Sequence, residues 1–199
     1  MDKLPSIIAN TKFNKRGLAK TESGLLVPAY VASELGFHDL GREILSLIVY
    51  PNLRERGILP VCPFAACTEY LGPFPTLDTP LEDVLAFWDG FNSLIGPVNY
   101  ETLMPHSRFM FAILDGSHSV DDGVAAEVSH FATRYRKRGI VGMRSDIRIA
   151  ENIAAPINPA IRYFLDQGPY NNQFVFNPGA YKRSLVDAKN LADKIKETA

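Results

Sequence analysis

The sequence predicts an α/β fold in which a parallel sheet carries helices on both of its faces. Short, continuously apolar runs, typical of buried strands, alternate along the chain with segments of helical periodicity. The chain has 199 residues, of which 46% are apolar and 22% charged, and it shows no internal repeat. These proportions are typical of a single domain that buries its own core without a disulfide or metal.

Four apolar runs predict strands, and about five strands are expected for the whole sheet. Pro28 is a reservation about the first run, because a central strand does not easily lose a hydrogen-bond donor. The most continuous run ends at Asp115-Gly116. No order is predicted for the proline-rich residues 65–80. The four runs cover residues 25–31, 58–64, 108–114 and 139–143.

Amphipathic periodicity predicts the helices. In the first helix, Pro51 is expected to introduce a kink or to end the regular part, and Gly57 lies where a C-terminal cap belongs. The predicted helices cover residues 38–56, 80–95, 123–137, 160–165 and 184–197, with a short helix or turn over 99–105. Residues 1–23 are polar and aperiodic, so we expect a loosely held N-terminal arm that precedes a domain over residues 24–199.

Composition excludes several classes of partner. The formal net charge is −1, from 21 Lys and Arg against 22 Asp and Glu. A protein that binds nucleic acid or an anionic membrane needs a positively charged surface, which this balance does not favour. No apolar signal-peptide core stands at the N-terminus, and no run approaches the roughly 20 apolar residues of a membrane span. We therefore expect a cytoplasmic protein that binds neither nucleic acid nor membrane.

The sequence also predicts no metal site. Cys62 and Cys67 are too few for a zinc site or a disulfide framework, and are expected to be partly buried free thiols. The four histidines are scattered and unpaired at ligand spacing. Glycine-rich nucleotide loops, a GxSxG elbow and an HExxH motif are all absent.

Carboxylates cluster after the most continuous apolar run. In parallel sheets ligands bind beyond the carboxyl ends of the strands, which selects the loops over residues 32–37, 115–123 and 144–158. Asp115, Asp121 and Asp122 follow the third run, and Glu127 lies one turn into the next helix. Glu127 falls three residues after Val124, on the apolar stripe, so its carboxylate is expected to be partly desolvated.

Two interpretations of this cluster remain open. Asp121 or Asp122 can simply cap the helix while Glu127 extends to solvent from the boundary of the core. Alternatively, two carboxylates can share acid–base and nucleophilic work at an anomeric carbon. Asn158 is equally ambiguous, because an N-cap followed by Pro159 at the first helical position accounts for it locally.

Taken together, the segments resemble the nucleoside 2-deoxyribosyltransferase family over residues 26–166. The matching segments are similar to that family's opening strand and substrate loop, its Asp-Gly turn followed by a helix that carries a Glu, its next strand and its late Asn motif. They are residues 30–37 (YVASELGF), 111–116 (FAILDG), 121–127 (DDGVAAE), 142–146 (GMRSD) and 156–158 (PIN).

The resemblance implies a flavodoxin-like sheet and a base-exchange reaction on 2′-deoxynucleosides that needs no cofactor. It makes Glu127 the nucleophile at C1′, Asp121 the residue that assists protonation of the base, and Asn158 the residue that reaches a neighbouring subunit's site. The expected partners are deoxynucleosides, free nucleobases and further copies of the chain. The residues implied to bind substrate are Tyr30, Gly36, Phe37, Asn99, Asp115 and Gly123.

Departures from the family pattern keep two other functions open. Asp122 stands where Ser is frequent and Ser107 where Asp is common, which leaves the base preference and the ribose-versus-deoxyribose preference undecided. One alternative is a hydrolase that cleaves the N-glycosidic bond of nucleosides or deoxynucleoside monophosphates. The second alternative is a nucleoside-binding protein without catalytic activity.

Overall fold

The computed structural model describes residues 4–115, 120–145, 157–166, 173–176 and 179–198. Within these residues six strands form one sheet. Five of them run parallel, in the order β3-β2-β4-β5-β6, and β1 pairs antiparallel with the start of β2. This is the flavodoxin-like order, so the α/β prediction is confirmed. The strands are β1 (Ala19–Thr21), β2 (Gly24–Ala32), β3 (Ile58–Val61), β4 (Phe109–Ile113), β5 (Gly139–Arg144) and β6 (Gln173–Phe176).

Helices connect the strands. They are α1 (Ser6–Ala9), α2 (Asp39–Ile44), α3 (Tyr50–Glu55), α4 (Pro63–Leu71), α5 (Leu81–Pro97), α6 (Met104–His106), α7 (Asp122–Arg134), α8 (Pro159–Asp166) and α9 (Ala180–Thr198). A 3₁₀ turn at Glu34–Phe37 precedes α2. None of the helices described is long and apolar enough to cross a membrane.

Two long helical stretches each contain a wide π turn. Leu45–Val49 joins α2 to α3, and Val98–Leu103 joins α5 to α6. A proline has no N–H, so the carbonyl four residues before it loses its donor, and a π turn accommodates that gap. The carbonyls that precede Pro51 and Pro105 by four residues both lie inside these turns. The kink or helix end predicted at Pro51 is therefore a π turn. The gap predicted between the helices over residues 80–95 and 99–105 is wrong, because α5, the π turn and α6 follow one another without a break.

The sheet is packed on both faces because successive strand residues point to opposite sides. Tyr30 and Met110 join one apolar cluster with α4, α5, α7 and α8. Ala29 and Phe111 join the other cluster with α9 and the helical stretch from residue 39 to 55. The first cluster occupies the face covered by α7, the helix that carries Glu127.

Three local predictions are corrected by the structure. Residues 65–80 are not without order, because α4 begins at Pro63, where the Cys62 Sγ accepts a bond from the Ala65 N–H at 3.4 Å. The strand predicted over residues 58–64 ends at Val61, because α4 begins at Pro63. The N-terminal segment is packed rather than loose, since Ile8 and Leu18 are buried and β1 extends the sheet. The fifth parallel strand, β6, has only four residues, too few for a recognisable pattern.

Candidate active site

A cavity of about 170 Å³ opens at the carboxyl ends of the strands where the strand order reverses. The chain leaves β2 for β3 on one side and later returns to β4 on the other, and a crevice forms at such a point. The cavity lining combines apolar side chains with hydroxyl, amide and carboxyl groups. Its lining comprises Ser33, Phe37, Pro63, Phe64, Ile95, Gly96, Asn99, Tyr100, Asp121, Gly123, Val124 and Glu127.

Glu127 is the buried carboxylate of this cavity. It lies on α7 with 9% of its surface exposed, on the apolar stripe that contains Val124 and Phe131, as predicted. The Tyr30 hydroxyl donates to Glu127 Oε1 at 2.6 Å, and Asn99 Nδ2 donates to the same oxygen at 2.8 Å. Oε2 accepts no bond from the residues that the structure describes. The carboxylate is thus held by one oxygen while the other is left for a ligand.

Burial raises the pKa of Glu127 to about 7, and the nearby charge of Asp121 acts in the same direction. The hydrogen bonds from Tyr30 and Asn99 lower this pKa but do not offset the loss of hydration. The pKa of Tyr30 is raised well above its usual range by burial and by the adjacent carboxylate, so its phenol stays protonated as a donor. A carboxyl group with a pKa near neutrality is typical of sites that move protons or attack electrophiles.

Asp121 both caps a helix and lines the cavity. Its Oδ1 accepts the Val124 N–H at 3.0 Å and so caps α7, as the local interpretation predicts. The same side chain also lines the cavity beside Glu127. Gly123 lines the cavity as well, and a Cβ on it would lie 3.0 Å from Asp121 Oδ1. The two interpretations of Asp121 therefore do not exclude each other.

Aromatic rings form part of the cavity lining. Phe37 packs edge-on against Phe64 with 4.8 Å between ring centroids, and Phe64 stacks on Phe91 at 5.8 Å. Phe37 stands at the rim with 47% of its surface exposed. Gly36 is buried and does not line the cavity, but it leaves the space that the Phe64 ring occupies. The exposed Phe37 ring and the Phe64 ring offer aromatic surface to a ligand that enters the cavity.

Two of the predicted site residues, Asp115 and Asn158, lie outside this cavity. Asp115 accepts bonds from the N–H and hydroxyl of Ser145 at 2.7 and 2.6 Å, which ties the end of β4 to the end of β5. Asn158 caps α8 by accepting the Ala160 N–H at 2.8 Å. It faces a separate groove of about 460 Å³ with Ala126 and Ser129 on α7. Residues 116–119 and 146–156 of the predicted ligand loops lie outside the described residues.

The structure adds Tyr100 to the lining, which no sequence pattern selects, and Ser33, which lies in the selected loop 32–37 but is not singled out there. Ser33 is buried at the end of β2 and caps the 3₁₀ turn, and Tyr100 follows Asn99 in the second π turn. The Tyr100 ring packs against His130 with 4.6 Å between centroids. Burial, and next the charge of Glu127, raise the pKa of the Tyr100 phenol. The sequence signal for the π turn at Tyr100 is the pair of prolines on either side of residues 98–104. A proline favours a π turn, and π turns are frequent at functional sites.

We expect Tyr30→Phe to raise the pKa of Glu127 by about one pH unit or more, because the ionised carboxylate loses a hydroxyl donor. The measurement is a ¹³C NMR titration of the Glu127 carboxyl carbon in both proteins. Tyr163→Phe is the matched control, since that ring is 58% exposed on α8. An unchanged midpoint in Tyr30→Phe would show that the phenol does not stabilise the carboxylate.

Comparison with known proteins leaves the family of this chain unassigned. No family model matches the sequence, and no curated protein does. Among solved structures, a 2-desoxiribosyltransferase from Leishmania mexicana is similar at 15% identity, over 80% of this chain and 97% of that one, with a TM-score of 0.47. A likeness this distant carries no argument about activity.

Proposed function

We propose that the chain is a nucleoside 2-deoxyribosyltransferase, which exchanges the base of a 2′-deoxynucleoside through a covalent intermediate on Glu127. One observation carries the proposal. A buried carboxyl with a pKa of about 7 is held through Oε1 by two donors, inside a cavity with one aromatic wall and a second carboxyl. That arrangement supplies a positioned nucleophile, a proton carrier and a surface for a flat base.

In the proposed first step, Glu127 Oε2 attacks C1′ as the N-glycosidic bond breaks. The bonding electrons move to the base nitrogen, and Asp121 assists its protonation. In the second step a ring nitrogen of the incoming base attacks C1′, its proton returns to Asp121, and the Glu127 carboxylate leaves. Two inversions at C1′ give net retention. The steps need no metal or organic cofactor, and Tyr30 keeps its proton throughout.

We also propose that further copies of the chain complete the site. The cavity is smaller than the roughly 300–1,000 Å³ of common ligand pockets, so a nucleoside would extend past Phe37 to the surface. Asn158 caps α8 outside this cavity, which is compatible with a role in a neighbouring copy's site. Sedimentation velocity of the purified chain tests this proposal, and a monomer at micromolar concentration would contradict it.

A hydrolase is the second candidate, and the exposure of Phe37 favours it. Exclusion of water protects a glycosyl-enzyme intermediate from hydrolysis. A rim residue that is 47% exposed leaves water a path to C1′ in the isolated chain. Hydrolysis would use the same first step, with water in place of the second base.

A chromatographic assay separates these functions. Purified protein is incubated with a 2′-deoxynucleoside, with and without a second free base, beside Glu127→Gln and the exposed-residue control Glu82→Gln. A new deoxynucleoside that forms only with the acceptor, and not in Glu127→Gln, supports transfer. Release of free base at one rate under both conditions supports hydrolysis. Binding without turnover would overturn both and leave a nucleoside-binding protein.

A further inference from the structure

Within the described part of the chain, the cavity holds two carboxyl groups and no cationic side chain. Asp121 and Glu127 line it, and no Lys or Arg of the described residues does. None of the 21 Lys and Arg of the chain falls within residues 57–107, which supply half of the lining and contain six acidic residues. Buried charges are normally paired with an opposite charge. A ligand that brings a positive charge into the cavity would supply that partner.

Local groups stabilise the two carboxylates only in part. Asp121 Oδ1 accepts the Val124 N–H at the amino end of α7, where the helix dipole favours a negative charge. Glu127 lies further along α7, and its donors, Tyr30 and Asn99, are neutral. Of the charged side chains that the structure describes, Asp121 is the one that acts on the pKa of Glu127, and its charge opposes ionisation. A cation beside both carboxylates would offset this repulsion.

The aromatic rings of the cavity attract a cation as well. Phe37 and Phe64 line the cavity, and the face of an aromatic ring carries negative potential. The same aromatic cluster already holds one cation outside the cavity lining. The Arg42 guanidinium lies 4.1 Å from the centroid of the Phe74 ring, which is 6.5 Å from that of Phe64, and it is paired with Asp39. A flat cation inside the cavity would meet aromatic faces and carboxylates together.

Resting on the proposed function, we infer that this site prefers 2′-deoxynucleosides whose base carries a positive charge over neutral nucleosides of the same size. The substrate class is nucleosides alkylated on a ring nitrogen of the base, which makes the ring cationic at neutral pH. The charged ring lies against Phe37 and Phe64, and its charge faces Asp121 and Glu127.

A cationic base also changes what the reaction requires of Asp121. As the bond from Glu127 Oε2 to C1′ forms, the electrons of the glycosidic bond move to the base and neutralise its charge. The base therefore leaves as a neutral molecule without taking up a proton. A neutral base leaves as an anion unless it is protonated, which is the proposed task of Asp121. With a cationic base Asp121 acts only through its charge.

Binding tests the preference without any turnover. The probes are 1-methyl-2′-deoxyadenosine, which is cationic at pH 7.5, and N6-methyl-2′-deoxyadenosine, which has the same number of atoms in its skeleton and is neutral. Calorimetric dissociation constants are measured for the unmodified chain, for Asp121→Asn and for Asp89→Asn. Asparagine also caps helices, so the Asp121→Asn variant keeps the start of α7, and melting temperatures establish that it is folded. Asp89 is the matched control, because it is an exposed carboxylate on α5 outside the cavity lining.

We expect the cationic probe to bind about tenfold more tightly than the neutral one, the worth of a partly desolvated cation–π contact. The ratio should fall to about threefold or less in Asp121→Asn and stay unchanged in Asp89→Asn. Equal affinities in the unmodified chain, tighter binding of the neutral probe, or no binding of either overturns the inference. A ratio that Asp121→Asn leaves unchanged overturns it too.

Turnover separates this inference from the proposed function. In Asp121→Asn, kcat for release of the neutral base should fall by about 10²-fold or more, as expected for the loss of a proton donor, while kcat for the cationic base falls far less. Equal falls for the two bases contradict the inference. If the unmodified chain turns over neither nucleoside, the proposed function fails. The two dissociation constants then decide alone whether the cavity is a site for cationic nucleosides.

Discussion

Replacing Glu127 by Gln is expected to lower kcat for base exchange by about 10³-fold or more, because the amide cannot form the glycosyl intermediate. Gln has nearly the same shape and can still accept at Oε1 from Tyr30 and Asn99, so the loss would be chemical rather than structural. The measurement is single-turnover release of base at pH 8, with Glu82→Gln as control. A loss below tenfold would remove Glu127 from the role of nucleophile.

The same substitution is expected to stabilise the fold, and the effect depends on pH. The pKa of Glu127 rises from 4.5 to about 7 on folding, so between these values the folded chain holds a proton that the unfolded chain has released. The stabilisation that this bound proton gives the folded chain is fully present below pH 4.5. It is lost as the pH rises to about 7, which lowers the free energy of unfolding by about 3 kcal/mol in all. The neutral amide of the Glu127→Gln variant carries no such penalty.

Denaturant unfolding of both proteins at pH 4.5 and pH 8 measures this effect. The stability gained by Glu127→Gln is expected to be larger at pH 8 than at pH 4.5, by about 3 kcal/mol. In the unmodified chain the rate of base exchange should rise with pH and level off above about 7 as Glu127 ionises. A stability difference that does not vary with pH would mean that the carboxyl is hydrated in the folded chain.

Gly36→Ala is expected to cost about 2–3 kcal/mol of stability and to disrupt the aromatic wall. A Cβ on Gly36 would lie 2.0 Å from Phe64 Cδ2, well inside van der Waals contact. Phe64 is 6% exposed and packed against Phe37 and Phe91, so its ring has little room to move. Displacing it narrows or deforms the cavity, and ligand affinity should fall together with stability.

Urea unfolding and ligand titration of Gly36→Ala check this prediction. Gly96→Ala is the control for stability, because nothing lies within 4 Å of a Cβ there, and alanine is the better helix former. Adding Phe64→Leu to Gly36→Ala should recover part of the lost stability, since the smaller side chain vacates the space. Full stability of Gly36→Ala alone would show that the Phe64 ring is free to move.

Periodicity predicted the parts of this molecule that depend on local pattern. The placement of Glu127 on an apolar stripe was sufficient to predict its burial, and the alternation of runs was sufficient for a parallel sheet. The partners of Glu127 depend on tertiary structure. Tyr30 lies 97 residues away and Asn99 lies 28 residues away, and they meet Glu127 only because β2 and the second π turn approach α7. The direction of the Glu127 pKa shift could not be predicted from the sequence, because burial raises this pKa and the bonds from Tyr30 and Asn99 lower it. Only the packed structure shows that burial is the larger effect.

Short or irregular elements escaped the pattern. β6 has four residues, and α4 begins with a proline after a cysteine cap, so neither shows a full period. Tyr100 and Ser33 reach the cavity through a π turn and a 3₁₀ turn, whose geometry differs from the 3.6-residue repeat on which amphipathic analysis depends.

The two donors on Glu127 Oε1 also determine where a proton binds. With Tyr30 and Asn99 both donating to Oε1, the proton of the neutral acid has its place on Oε2. The oxygen that we propose as the attacking atom above pH 7 is therefore a hydroxyl below it. The cavity consequently offers an acceptor to ligands in alkaline solution and a donor at the same point in acid. A dead-end inhibitor that presents a carbonyl there should bind more tightly as the pH falls, whereas one that presents an amine should bind more tightly as it rises.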